Sequence, residues 1–204
     1  MPTPPPPHAP SVPLPDRIRA CRLCAERFAR TATAHRPRPV AWFRAGARLI
    51  VTGQAPGMRV HRSGRPFDDA SGVRLRRWMG VDEETFWDRD RVAVVPMGFC
   101  FPGYDAKGAD LPPPKVCAAT WREAALSYVG AVGPRLLIGG YAQAWHLGPG
   151  RVTDRVRDWR AHAARGIWCL PHPSWRNTGW LKANPWFEAE AVPALQAAVR
   201  EALA

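Results

Sequence analysis

Three kinds of residue in this chain could do chemistry: its cysteines, a histidine clamped between prolines, and a turn of small residues. The cysteines are Cys21, Cys24, Cys100, Cys117 and Cys169. Cys21 and Cys24 form a C-x2-C pair, a spacing that brings two thiolates onto one metal centre. Cys100 and Cys117 are separated by sixteen residues of proline- and glycine-rich sequence. A zinc ribbon normally has a second tight pair there. Four thiolates so arranged can hold a cubane iron–sulfur cluster. On pattern alone a structural zinc is an equal reading, and free buried thiols are the plain one. Disulfides are disfavoured in a reducing compartment. Cys169 lies inside an apolar run and reads as a packed core cysteine.

His172 sits in Leu170-Pro-His-Pro-Ser-Trp-Arg-Asn177, directly after an apolar run. Two flanking prolines hold it stiffly, as a catalytic side chain requires. The turn is Gly53-Gln-Ala-Pro-Gly57, which stops the β-branched run Leu49-Ile-Val51. Short apolar runs ending at Gly/Pro clusters read as buried parallel strands. The loop that leaves such a strand faces the ligand crevice of an open α/β sheet. Small residues there let backbone N–H groups approach a substrate.

The elements that must position these residues alternate. Strands are expected at 47–53, 91–95, 135–139 and 167–170. Helices are expected at 71–79, 115–128, from Tyr141, at 153–160 and at 186–204. Segments 57–69 and 101–114 read as long irregular loops, which are usually functional. Alternation of this kind implies a parallel sheet covered on both faces. Residues 1–15 are proline-rich and are expected to form a disordered, partly polyproline-II tail. Residues 16–204 are expected to form one domain.

The formal net charge is +12, carried mostly by arginine, whose planar fork suits phosphate. A polyanionic partner is favoured over a merely soluble basic protein. The arginines at 59, 62, 65, 74, 76, 77 and 176 are the expected phosphate contacts. No window approaches the apolar length of a membrane span. The first residues resemble no secretory signal, so a cytoplasmic location is expected.

Taken together, these motifs resemble the uracil-DNA glycosylase superfamily, most closely its iron–sulfur-containing branch, often called family 4. The resemblance runs from Cys21 to about Phe187. It rests on the early C-x2-C, Gly53-Gln-Ala-Pro-Gly57, Gly64-Arg-Pro-Phe67, the Cys100/Cys117 pair and His172-Pro-Ser174. It implies a three-layer α/β/α sandwich with a central four-stranded parallel sheet and an active site at the strand carboxyl ends. It also implies that Cys21, Cys24, Cys100 and Cys117 bind a 4Fe–4S cluster, which lifts the cluster well above zinc. The implied activity is monofunctional hydrolysis of the N-glycosidic bond of a flipped deaminated base, uracil first, in base excision repair. DNA is the implied partner, single-stranded or duplex, and a monomer is expected.

Within that resemblance Phe67 stacks on the flipped base and His172 hydrogen-bonds the base carbonyl as it gains charge. Gly53, Ala55, Pro56, Gly57 and His61 line the base or its sugar. Ser174, Arg176 and Asn177 grip the phosphate backbone, and Trp175 or Trp180 fills the space the base vacates. The chain also departs from the family. Superfamily members carry an aspartate at the third position of the turn, or a glutamate or asparagine at the second. Here Gln54 and Ala55 stand there. Gln54 can orient a water but cannot take its proton, so Asp68, with Asp69 and His61 on the same loop, is the expected substitute. No asparagine precedes Cys100, and Met97-Gly98 is expected to open the pocket to other bases. Gln54 equally favours a rival reading, an iron–sulfur nucleic-acid-binding protein of the same fold without glycosylase activity.

Overall fold

The computed structural model describes residues 12–130 and 133–204. The proline-rich run 1–11 expected as a tail lies outside the described residues. The far end of that tail is corrected, because helix α1 (Leu14–Arg19) already includes Leu14 and Pro15. Proline is tolerated in a first helical turn, where its missing N–H has no partner to lose. Helix α2 (Ala25–Ala29) follows the first cysteine pair.

The sheet is built from β1 (Leu49–Thr52), β2 (Val92–Val94), β3 (Arg135–Ile138) and β4 (Ile167–Leu170). All pairings are parallel, in the order β2-β1-β3-β4. Between β1 and β2 lie α3 (Met58–Ser63), α4 (Ala70–Met79) and α5 (Glu83–Trp87). Helix α6 (Lys115–Val129) leads to β3. Then come α7 (Gly139–Leu147), α8 (Val152–Arg157) and α9 (Trp159–Ala163). After β4 the chain forms α10 (Thr178–Ala183), a π-helical turn (Phe187–Ala191) and α11 (Val192–Leu203).

Strand periodicity divides the core. Leu49 and Val51 point to a layer shared with Leu75 and Trp78 of α4 and Leu195 and Val199 of α11. Ile50 points the other way, onto Ile18 of α1 and Ala125 and Val129 of α6. Because successive strand side chains alternate between faces, one β-branched strand supplies both cores. The expected three-layer α/β/α sandwich around a four-stranded parallel sheet is therefore the observed fold.

One expectation fails in the long loop. Residues 57–69 are not irregular throughout, since Met58–Ser63 forms α3, capped by Gly64 at φ +74°. Only Val60 of that helix is buried, and one apolar residue leaves no period to read. The strand order also creates the crevice. β2 lies to one side of β1 and β3 to the other, so the connections diverge at the β1/β3 carboxyl ends. That divergence is where open α/β sheets bind ligands.

Candidate active site

A pocket of about 550 Å³ opens at these carboxyl ends, within the range of small-ligand sites. Its floor is the turn Gly53–Gly57. The turn is pinned from below, as Met97 N–H donates to Gly53 O at 2.9 Å and Gly98 N–H to Gln54 O at 3.0 Å. Met97 itself is buried and supports the turn rather than lining the pocket, so its expected contact with the base is corrected. Its neighbour Gly98 packs against Pro113, Pro114 and Ala55.

Phe67 covers the floor. A Cβ placed on Gly53 would lie 3.2 Å from Phe67 Cζ, so glycine there lets the ring approach the turn. Phe67 itself has φ +55°, a left-handed conformation that costs a non-glycine residue on the order of 1–3 kcal/mol. Its surroundings hold it there. Trp87 Nε1 donates to Pro66 O at 2.9 Å, the Arg65 guanidinium lies 3.6 Å over the Trp87 ring, and Phe86 meets the Phe67 ring edge-on. Buried Arg76 donates to Phe67 O at 3.3 Å and to Glu83 at 2.8 Å. Gly72 admits the same carbonyl, because a Cβ on it would overlap Phe67 O at 1.7 Å.

His172 lines the same pocket from the loop that follows β4. The Ser174 backbone N–H donates to His172 Nδ1 at 3.2 Å. That ring nitrogen is therefore the acceptor, and Nε2 carries the proton of the neutral imidazole. Burial lowers the His172 pKa, Asp69 opposes that shift, and Arg176 adds to it. Asn177 Nδ2 donates to His172 O at 2.7 Å and Arg74 to Ser174 O at 2.9 Å. Asn177 thus fastens the histidine loop rather than facing phosphate. Ser174, Trp175 and Arg176 line the pocket mouth. Trp175 is 75% exposed, whereas Trp180 donates to Thr153 Oγ1 and packs on Trp186 and Phe187. Of the two tryptophans, only Trp175 is free to enter a vacated stack.

Of the two adjacent acids, Asp69 lines the pocket and Asp68 does not. Asp68 turns toward Arg59, at 3.9 Å. Asp69 caps α4, one oxygen accepting the Gly72 N–H at 2.9 Å. The expected role of Asp68 is corrected on this geometry. The helix begins at Ala70, one residue before the expected Ser71, which makes Asp69 and not Asp68 its N-cap. His61 is displaced too. It packs on His35 and Phe101 away from the pocket, and burial and the neighbouring His35 lower its pKa. A further acid, Asp110, was not anticipated. It lines the pocket from the irregular segment 101–114.

Cys21, Cys24, Cys100 and Cys117 line one small, almost wholly apolar cavity with Ile18, Phe28 and Trp121. They arrive from three separate segments. Phe99 N–H donates to Cys117 Sγ at 3.4 Å. Burial pushes the Cys117 thiol up to about 11 and Cys100 higher still. Among the described residues no three His, Cys, Asp or Glu side chains are arranged to hold a single metal ion. Cys169 is apart from them, buried in the main core.

Compared with known protein families, residues 40–196 match the model of the uracil DNA glycosylase superfamily. The matched span contains the turn, Phe67, Asp69, Asp110 and His172. No helix among the described residues is long and apolar enough to cross a membrane.

Proposed function

The chain belongs to the uracil DNA glycosylase superfamily, and from that premise we propose that it hydrolyses the N-glycosidic bond of a flipped deaminated base in DNA, uracil first. The observation that carries this reading is His172. Its Nδ1 is occupied by the Ser174 N–H, so a neutral imidazole presents Nε2–H to the pocket. As the C1′–N bond breaks, its electron pair goes to the base and negative charge grows on a base carbonyl. A fixed donor aimed at that oxygen stabilises the departing base at little reorganisation cost. Phe67, over Gly53, offers the flipped base a stacking face.

The sugar meanwhile gains positive charge. Asp69, at the pocket wall and electrostatically coupled to His172, is suited to stabilise it and to take the proton of the attacking water. Gln54 orients that water. A weak base suffices, because an oxocarbenium-like centre is attacked late. Asp69 therefore answers the absence of an ionisable residue at Gln54 and Ala55. Extrusion of a base costs a few kcal/mol, and Trp175 with Arg176 would hold the opened strand.

The reading includes a 4Fe–4S cluster on Cys21, Cys24, Cys100 and Cys117. The fit rests on the shared apolar cavity and the Phe99 N–H already aimed at Cys117 Sγ. Such a cluster supplies a covalent tie among three chain segments. With such a cluster the chain would stand near the iron–sulfur branch. The test of function is single-turnover base release from single-stranded and duplex oligonucleotides carrying uracil, hypoxanthine or xanthine. Abasic-site formation supports the reading. Tight binding with no release of any base would instead make the protein a binding module of the same fold.

A further inference from the structure

We infer that Asp110 reads the edge of the flipped base, pairing with bases that present a lactam, a ring N–H beside a carbonyl. The inference deepens the glycosylase reading and rests on it. Asp110 belongs to the pocket wall, on the side of Gly57 and away from the core. A Cβ built on Gly57 would lie 3.6 Å from Asp110 Oδ2, so the carboxyl faces the turn that forms the floor. Among the described residues it makes no hydrogen bond or ion pair within the protein. Its backbone, by contrast, is built in. Tyr104 and Asp110 form an antiparallel bridge. Asp105 accepts from Lys107 N–H and Ala109 N–H, and Leu111 N–H donates to Gly103 O. A carboxyl presented to a ligand pocket by a braced loop, with no partner of its own, is placed to meet a ligand.

Three ionisable groups surround it. They are Asp69 at the start of α4, Arg176 after His172, and Tyr104 on its own loop. The Asp110 side chain is exposed at the rim, and partial burial raises its pKa, with Arg176 opposing and Asp69 reinforcing the rise. In either form the carboxyl keeps an unpartnered acceptor oxygen, the group that a lactam's ring N–H requires. This also accounts for how the base edge is read with no asparagine in the segment 94–100.

The test is a cycle between protein and base. Single-turnover release is measured for uracil and for N3-methyluracil, which lacks the ring N–H, with wild type, Asp110→Ala and Asp110→Asn. Affinity for a strand carrying a tetrahydrofuran abasic analogue, which has no base edge, checks that each variant folds and binds. Asp110→Ala should slow uracil release on the order of 10-fold, the scale of a lost hydrogen bond to a base edge. It should leave N3-methyluracil release and tetrahydrofuran affinity unchanged. Asp110→Asn, which keeps an acceptor oxygen in the same place, should stay within a few-fold of wild type on uracil. Equal slowing on both bases, or no slowing on either, overturns the assignment. If wild type releases no base at all, the glycosylase reading fails by itself. The cycle is then read in equilibrium affinity for the two modified strands, where Asp110→Ala must erase any preference for uracil or the inference falls with it.

Discussion

At the scale of single residues, the site depends on two side chains held in one state each. His172 is held as a neutral donor by one backbone N–H, and its proposed partner becomes charged only in the transition state. Removing such a contact lowers kcat and kcat/KM together and spares ground-state binding. His172→Ala should therefore lose about 10²-fold or more in single-turnover release with near-wild-type affinity for uracil-containing DNA. Gln54→Ala should cost less, since it removes only a water-orienting amide. Release at the wild-type rate from His172→Ala would make the histidine structural. Phe67 is held by packing and by its own left-handed backbone, and Gly72 is the residue that permits it. Gly72→Ala forces a methyl into Phe67 O and should cost about 1–3 kcal/mol of stability, read in urea denaturation. It should also weaken base capture, whereas a purely local effect would lower stability and leave capture intact.

Elements show what was legible in the sequence and what was not. The strands could be read because each is a short, largely apolar run cut off by Gly or Pro, and burial on both faces makes such runs continuous. Helix α3 escaped because it buries one residue. Asp68 and Asp69 could not be told apart by composition, because one step along an extended backbone turns a side chain to the opposite side. Asp110 escaped for a different reason. Its segment has no periodicity, and its place in the pocket comes from turn hydrogen bonds with no apolar signature. Arg122 was hidden too, since a helix pattern does not announce a buried charge. It is fully buried on α6, donates to Val95 O and Pro96 O at 2.9 and 3.1 Å, and contacts His146 Nε2 at 2.9 Å. It thereby ties the helix that carries Cys117 to the end of β2. Arg122→Leu should cost about 1–3 kcal/mol for each carbonyl left unpaired, seen as a lower urea midpoint. An unchanged midpoint would mean that water replaces the guanidinium. The same helix frames the cofactor test. Protein purified without oxygen should carry about four irons per chain and absorb broadly near 400 nm, as thiolate-bound clusters do. Cys117→Ser should lose the colour and Cys169→Ser should keep it. A colourless protein with stoichiometric zinc would reject the cluster.

For the whole molecule, charge sets both stability and partner. Three histidines, His61, His146 and His172, have pKa values lowered by burial, His146 to about 4. Below the ordinary histidine value of about 6.5 the unfolded chain binds more protons than the folded one, so stability falls as pH drops toward about 4. Asp110, with its raised pKa, works against this slope. His146→Phe should flatten the decline in thermal midpoint, and an unchanged decline would assign it to other groups. The net charge of +12 points outward to phosphate, but the arginines do not contribute alike. Arg76 is buried against Glu83, and Arg77 bonds Glu188 at 2.5 Å. Arg62 is exposed, and Arg176 sits at the pocket mouth. Each phosphate neutralised should add about 0.7–0.9 to the fall of log affinity with log salt. Arg176→Gln should accordingly reduce the slope by about one contact for any sequence tested. Arg76→Gln should instead lower stability and leave the slope of the folded fraction unchanged, because its charge is already spent on Glu83 and the Phe67 carbonyl. Equal loss of slope in the two variants would show that net charge, rather than placed arginines, governs DNA binding.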